Sequence, residues 1–211
     1  MKQAKRIEIF GGIASGKTTL AELLWENSQS SLARENFREN PFWKRFYEQP
    51  FLFAHEKNVC FLAQHTGEIK AAGNEGLIIC DYAVFQDLAY ASLAQENEHL
   101  AIMEALYQHL YKKLNPPTLF IYLECNAEEQ LRRIRSRGRH EEYSITLDYL
   151  ASLNQAIQKS LNEHIQGVPL QVIRSDEIDF ATDPQQRLRL KSDVLSMISG
   201  QQEEGGADVL P

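Results

Sequence analysis

A Gly-rich run at residues 11–18, GGIASGKT, most strongly constrains how this chain can fold. It contains Gly, four free residues, Gly, Lys and a hydroxyl residue, the complete pattern of a phosphate-binding loop. Residues 6–10 before it, RIEIF, predict a buried strand, and Leu20, Leu23 and Leu24 after it mark one face of a helix. Backbone N–H groups in such a strand–loop–helix unit converge on phosphate oxygens at the helix N-terminus. The flanking elements argue against an ordinary Gly-rich turn, so we predict that the chain binds a nucleoside triphosphate.

Within this loop, individual side chains have separate expected roles. Lys17 is expected to reach the terminal phosphates of ATP, and the Thr18 hydroxyl is expected to bind Mg²⁺. The residues predicted to contact the donor phosphates are Gly11, Gly12, Ile13, Ala14, Ser15, Gly16, Lys17, Thr18 and Thr19.

Composition is typical of one compact enzyme domain. The 211 residues carry a net charge of −7, which argues against a broad nucleic-acid-binding surface. No signal peptide or membrane span is visible, and the three cysteines are isolated, so we expect a cytoplasmic protein with reduced thiols. We predict a domain over residues 1–200 and a flexible tail over 201–211.

Apolar runs and helical segments alternate along the chain. Strands are predicted near residues 6–10, 31–36, 76–81, 119–123 and 170–173, with helices between them. Asp183, Pro184 and Gly200 are the cap, first turn and end of a last helix. This alternation predicts an α/β fold with a parallel sheet between two helical layers. Gly11, Glu35, Asp81 and Glu124 follow strands, so they can converge at the carboxyl edge of the sheet.

A dense basic segment stands out in this acidic protein: Arg132, Arg133, Arg135, Arg137 and Arg139. On a helix, Arg133 and Arg137 share one face, and Gly138 allows the chain to turn toward Arg139. A solvated basic face is one interpretation. A lid that closes arginines over a triphosphate is favoured because the phosphate-binding loop is present.

Carboxylates and aromatic residues leave alternatives open. Glu35 and Asp81 are candidates for a general base and for a contact to Mg²⁺ or a hydroxyl group, but each could equally be a helix cap or a turn acid. Trp43 and Phe46 could line a site, although core packing is the commoner role of such residues.

These motifs in this order resemble the deoxynucleoside kinase family, and most closely its bacterial purine-type members, from about Ile7 to Phe180. The resemblance implies a three-layer P-loop kinase fold with a central five-stranded parallel sheet, and a homodimer. It implies that Glu35 deprotonates the sugar 5′-hydroxyl, that Tyr47 and Glu142 contact the 3′-hydroxyl, and that Arg133, Arg137 and Arg139 form the lid. The loop from Asp176 to Phe180 resembles the segment that holds the base of the donor.

Three positions depart from the family pattern. Tyr82 stands after Asp81 where many members have Arg, so Lys17 and the lid arginines must stabilise more of the charge. Glu56 aligns with the Gln that normally contacts the nucleobase, and His65 aligns with an expected Arg. An ionised Glu56 would accept hydrogen bonds from guanine, so it predicts a preference for deoxyguanosine over deoxyadenosine. Asp87 and Tyr90 could belong to the same pocket.

The sequence therefore predicts transfer of the ATP γ-phosphate to the 5′-hydroxyl of a deoxynucleoside, with purines favoured. Two alternatives remain. A nucleoside monophosphate kinase, or another small-molecule P-loop kinase, would need a further cationic pocket. A catalytically weakened accessory protein is the other alternative, but the presence of Lys17, Thr18 and Glu35 argues against a loss of catalysis.

Overall fold

The computed structural model describes residues 4–73, 76–94, 97–165 and 167–200. Five parallel strands form one sheet in the order β2-β3-β1-β4-β5. The strands are β1 Lys5–Gly11, β2 Ser31–Ala33, β3 Leu77–Cys80, β4 Leu119–Glu124 and β5 Leu170–Arg174. This is the predicted α/β architecture with a central five-stranded parallel sheet.

Helices connect the strands and cover both faces of the sheet. The helices are α1 Lys17–Trp25, α2 Trp43–Glu48, α3 Pro50–Ala71, α4 Gln86–Ser92, α5 Asn97–Tyr111, α6 Ala127–Arg137, α7 Leu147–His164 and α8 Pro184–Gly200. Short 3₁₀ segments occupy Phe37–Glu39 and His140–Ser144.

Alternate side chains of each strand enter different cores, since successive residues of a strand point to opposite faces. Phe10, Phe120 and Tyr122 pack in one core with residues of α3, α4, α5 and α7. Ile9 and Ile121 pack in the other core, which also contains residues of α1 and α8. Burial on both faces explains why the central strands are almost continuously apolar.

The predicted boundaries of the last helix are nearly correct. Asp183 accepts hydrogen bonds from the backbone N–H groups of Gln185 and Gln186 at 2.8 and 3.2 Å, as a helix cap does. The helix ends at Gly200, one residue later than predicted. The predicted tail, residues 201–211, lies outside the described residues. None of the helices in the described part of the chain is both long and apolar enough to cross a membrane.

Candidate active site

One cavity of about 970 Å³ opens at the carboxyl edge of the sheet. The phosphate-binding loop lines one end, and the aromatic residues of α2 and the side chains of α3 line the other. This is where open parallel sheets bind ligands, because the loops that follow the strands meet there. The predicted residues that line it are Ile13, Ala14, Ser15, Gly16, Lys17, Thr18, Thr19, Glu35, Tyr47, Asp87, Arg133, Arg137, Arg139, Glu142, Asp176 and Phe180.

The loop backbone depends on its glycines at defined points. Gly11 ends β1 and Gly12 follows it, and both are buried below the cavity surface. Gly16 has a φ of 103°, in the left-handed region, and directly precedes α1. A Cβ at this position would lie 2.8 Å from Cζ of Phe180. The close contact explains why a Gly stands directly before Lys17.

Gly16→Ala is expected to lower the affinity for ATP at least tenfold while the protein stays folded. Alanine is disfavoured by about 1–2 kcal/mol in the left-handed conformation, and its methyl group would displace Phe180 or the loop. Gly67→Ala is the matched control, because a Cβ there has no neighbour within 4 Å. Calorimetric titration with ATP checks the prediction, and equal affinities of the two variants would contradict it.

Lys17 and Thr18 lie where the loop joins α1. Lys17 Nζ donates to the carbonyl oxygens of Gly11 and Gly12, each at 3.1 Å. Burial lowers the pKa of Lys17, and the nearby negative charges of Glu35 and Asp81 oppose this effect. Lys17 is therefore held between the loop and the two carboxylates that follow β2 and β3.

Asp81 lies beside Thr18, just outside the residues that line the cavity. Its carboxylate interacts with the Thr18 hydroxyl, and its Oδ1 atom is buried without a hydrogen-bond partner. Burial, with a further contribution from Glu35, raises the pKa of Asp81 to about 7. A hydroxyl and a carboxylate oxygen are ligands that fit Mg²⁺, which often has only one or two protein ligands and otherwise contacts phosphates and water. The described residues contain no larger group of acidic, His or Cys side chains suited to a metal ion.

Arg133, a predicted lid residue, links α6 to the phosphate-binding loop. It lies on α6 and donates to Glu129 at 2.7 Å, to the Ala14 carbonyl at 3.3 Å and to the Ser175 carbonyl at 2.6 Å. Hydrogen bonding to Arg132 and Arg133 lowers the pKa of Glu129 to about 2. These bonds fix the guanidinium of Arg133 beside the phosphate-binding loop.

The other two lid arginines converge on one buried carboxylate. Glu142 accepts from Arg137 at 2.8 Å and from Arg139 at 3.4 Å. The chain turns between them at Gly138, whose φ is 66° as the predicted change of direction requires. Tyr47 lies near Glu142, and burial raises the pKa of its phenol, so the phenol stays protonated. Tyr47 and Glu142 therefore present a hydroxyl and a carboxylate in the same part of the cavity.

The loop after β5 lies next to the start of α6. Asp176 accepts from the backbone N–H and side-chain amide of Asn126 at 3.1 and 2.5 Å, which joins this loop to the start of α6. Phe180 packs in the core beneath α1 and also faces the cavity. Both residues line the loop end of the cavity.

A buried histidine connects the acidic residues at the other end. His65 Nδ1 lies 2.8 Å from Oδ2 of Asp87, and His65 Nε2 lies 3.8 Å from Oε1 of Glu35. Tyr82 stacks on His65 with ring centroids 3.9 Å apart and donates its hydroxyl to the His65 carbonyl at 2.9 Å. Tyr82 is therefore held behind the cavity and supplies no charge to it.

We expect His65 to stabilise the protein more at low pH than at high pH. Burial lowers the pKa of His65, but Asp87, Glu35 and Asp81 together outweigh it and raise the pKa above 6.5. A raised folded pKa gives stability that is fully present below the unfolded value and is lost as pH rises through the folded value. Each unit by which the folded-state pKa of His65 exceeds its unfolded-state pKa adds about 1.4 kcal/mol to the free energy of unfolding at low pH.

The measurement is urea unfolding of wild type and His65→Phe between about pH 6 and pH 9. Phe keeps a ring between Phe61 and Tyr82 but removes the charge. The stability advantage of the wild type over the variant should shrink as pH rises. A constant difference across this range would contradict an ion pair between His65 and the carboxylates.

The structure corrects the prediction for Glu56. This side chain is exposed on α3 and does not line the cavity, whereas Lys57 and Asn58 are buried and do. One residue along a helix turns the side chain by about 100°, so a one-residue error in register reverses the assignment. Asn58, Phe61 and His65 are spaced by three and four residues, so they share the inward face of α3. This spacing could have shown which residues of α3 face the cavity.

The structure also places Glu124 and three aromatic residues relative to the cavity. Glu124 does not line the cavity, because it lies at the end of β4 and pairs with Arg174 at 3.6 Å. Trp43, Phe46 and Tyr90 line the cavity and are only partly buried, and Trp43 and Phe46 also pack against the Tyr47 ring.

A family model described as "Deoxynucleoside kinase" matches residues 7–199. The chain belongs to the deoxynucleoside kinase family. The deoxyguanosine kinase of Bacillus subtilis (strain 168) is 25% identical over 94% of this chain and 100% of its own length. The deoxyadenosine kinase of Dictyostelium discoideum is 27% identical over 92% of this chain and 81% of its own.

A solved relative has the same fold. The structure of deoxyadenosine kinase from M. mycoides with bound dCTP has a TM-score of 0.75 and 21% identity, and the match covers 90% of this chain and 98% of that one. The predicted P-loop kinase fold is thus confirmed. Because the chain belongs to the deoxynucleoside kinase family, it is an enzyme.

Proposed function

We propose that this deoxynucleoside kinase transfers the γ-phosphoryl group of ATP to the 5′-hydroxyl of a purine deoxynucleoside in nucleotide salvage. One observation carries the proposal. A single cavity joins the phosphate-binding loop to Glu35 and to an aromatic end lined by Trp43, Phe46 and Tyr90. Phosphoryl transfer needs donor and acceptor in line, and a shared cavity allows that arrangement.

On the donor side, the loop N–H groups of residues 11–19 and Lys17 hold the phosphates. Arg133, Arg137 and Arg139 stabilise the charge that develops on the transferred group. Asp176 and Phe180 bind the donor base. Thr18, with Asp81 beside it, would hold Mg²⁺, which when bound neutralises charge on the β- and γ-phosphates.

On the acceptor side, Glu35 accepts the proton of the 5′-hydroxyl. Its side chain is about one-third exposed and faces the cavity, so an acceptor can reach it. Tyr47 and Glu142 hold the 3′-hydroxyl, and Asp87 lies at the base end of the pocket. We also propose a homodimer and a cytoplasmic location.

The preference for purines is supported by similarity to relatives. The bacterial relative named above is a deoxyguanosine kinase, and the Dictyostelium relative is a deoxyadenosine kinase. With Glu56 outside the cavity, any preference between the two purines must come from other residues.

A nucleoside monophosphate kinase is disfavoured because the basic residues nearest Glu35 in the sequence, Arg34, Arg38, Lys44 and Arg45, do not line the cavity. Arg34 pairs with Glu22 at 2.5 Å, Arg38 and Arg45 lie against aromatic rings, and Lys44 is exposed. None of the four lines the cavity.

The test is a steady-state assay of four deoxynucleosides with ATP and Mg²⁺, with a nucleoside monophosphate as a fifth acceptor. We expect purine deoxynucleosides to give the highest kcat/KM. A clear preference for thymidine or deoxycytidine would overturn the purine assignment. Phosphorylation of the monophosphate alone would overturn the choice of acceptor.

A further inference from the structure

A lysine lies inside the acceptor end of the cavity. Lys57 on α3 is only 6% exposed, yet it lines the cavity. Its Nζ lies 4.0 Å from the ring centroid of Phe46 and 5.0 Å from that of Tyr90. Lysines are almost never this buried unless the charge has a partner.

The ammonium of Lys57 lies beside two aromatic rings but has no hydrogen-bond or ion-pair partner among the described residues. Within the ranges that the structure describes, no acceptor lies within hydrogen-bond distance of Nζ and no carboxylate lies within 4.0 Å of it. The charges of Asp87 and Glu35 attract the ammonium only at longer range, and the Asp87 carboxylate is hydrogen-bonded to His65. The aromatic rings can face a cation but cannot accept its three N–H bonds.

Lys57 keeps its charge near neutral pH despite its burial. Burial lowers its pKa to about 8, with Asp87 and Glu35 opposing the effect. None of its three N–H donors bonds to another described residue, so water or a ligand in the cavity must accept from them. Lys57 therefore presents donors to whatever occupies the aromatic end.

We propose that Lys57 selects the nucleobase by donating to O6 and N7 of guanine. This inference deepens the proposed function and rests on it for the placement of the base. Guanine presents O6 and N7 as adjacent acceptors, which is the pair that lysine and arginine recognise most often. Adenine replaces O6 with an amino group, so two donors would face each other. Asp87, on the same wall, can accept from the N1–H of guanine.

The test separates base recognition from catalysis by measuring nucleoside affinity directly. Calorimetric titrations use wild type, Lys57→Met and the control Lys44→Met, which removes an exposed lysine outside the cavity. The ligands are deoxyguanosine, deoxyinosine, deoxyadenosine and the deoxynucleoside of 2,6-diaminopurine. Deoxyinosine keeps O6 and N7 without the 2-amino group, and the diaminopurine keeps the 2-amino group without O6.

Wild type and Lys44→Met should bind deoxyguanosine and deoxyinosine about ten- to hundredfold more tightly than the two 6-amino purines. Lys57→Met should lose this preference and keep its affinity for deoxyadenosine. Equal weakening toward all four ligands would overturn the proposal and make Lys57 a packing residue.

Two other outcomes are informative. Should Lys57→Met not fold, a wild type that binds deoxyinosine no better than the diaminopurine would also overturn the proposal. Binding with the expected preference but no phosphorylation of any ligand would refute the proposed function while supporting the role of Lys57.

Discussion

Lys17→Ala is expected to lower kcat by about 10²–10³-fold or more, with the fold unchanged. Lys17 lies in the loop between the cavity and the carboxylates, and its removal leaves the lid arginines as the remaining positive groups near the phosphates. Tyr82 cannot substitute, because it is buried behind His65. Steady-state kinetics with ATP and deoxyguanosine give the result.

The control is Lys159→Ala, which removes an exposed lysine of α7 that lies 3.9 Å from Glu163. Circular dichroism establishes that both variants are folded. Activity of Lys17→Ala within a few-fold of wild type would contradict the role of the loop in phosphate binding.

Glu35→Gln is expected to lower kcat by about 10²–10⁴-fold with little change in nucleoside affinity. The amide can still accept a hydrogen bond from the 5′-hydroxyl but is a very poor base. Comparison of kcat with the dissociation constant of deoxyguanosine separates the two effects.

A different kinetic result for Glu35→Gln would assign this residue another role. An unchanged kcat with a raised KM would make Glu35 a binding residue. Asp81 is then the next candidate base, although it is 3% exposed and does not line the cavity. Asp81→Asn, measured beside Glu35→Gln, distinguishes the two carboxylates.

The sheet could be predicted because each strand is marked by a short stretch of neighbouring residues in the sequence. Buried parallel strands are short apolar runs, and the loop and helix residues that follow them carry recognisable patterns. The convergence of Gly11 and Glu35 follows from the parallel topology alone. Glu124 follows a strand too, but its side chain pairs with Arg174, and spacing in the sequence does not reveal where a terminal side chain points.

The base end of the cavity could not be predicted in the same way. It is built from α2, α3 and α4, whose relative positions depend on packing between helices. A lysine in a helix is ordinarily exposed, so nothing in the sequence indicates that Lys57 lines the cavity. The link between Glu35, His65 and Asp87 also joins three separate elements, and only the fold brings them together.

We propose that one cavity holds donor and acceptor while the γ-phosphoryl group passes to the 5′-oxygen of a deoxynucleoside. The most direct test is the ³¹P NMR spectrum of the product formed from ATP, Mg²⁺ and deoxyguanosine, with 2′,5′-dideoxyguanosine as the acceptor that lacks this oxygen. Transfer to the 5′-oxygen predicts a phosphate signal split into a triplet by the two 5′ protons, and no product from the dideoxy compound. A doublet from a 3′-phosphate, or product from the dideoxy compound, would contradict it.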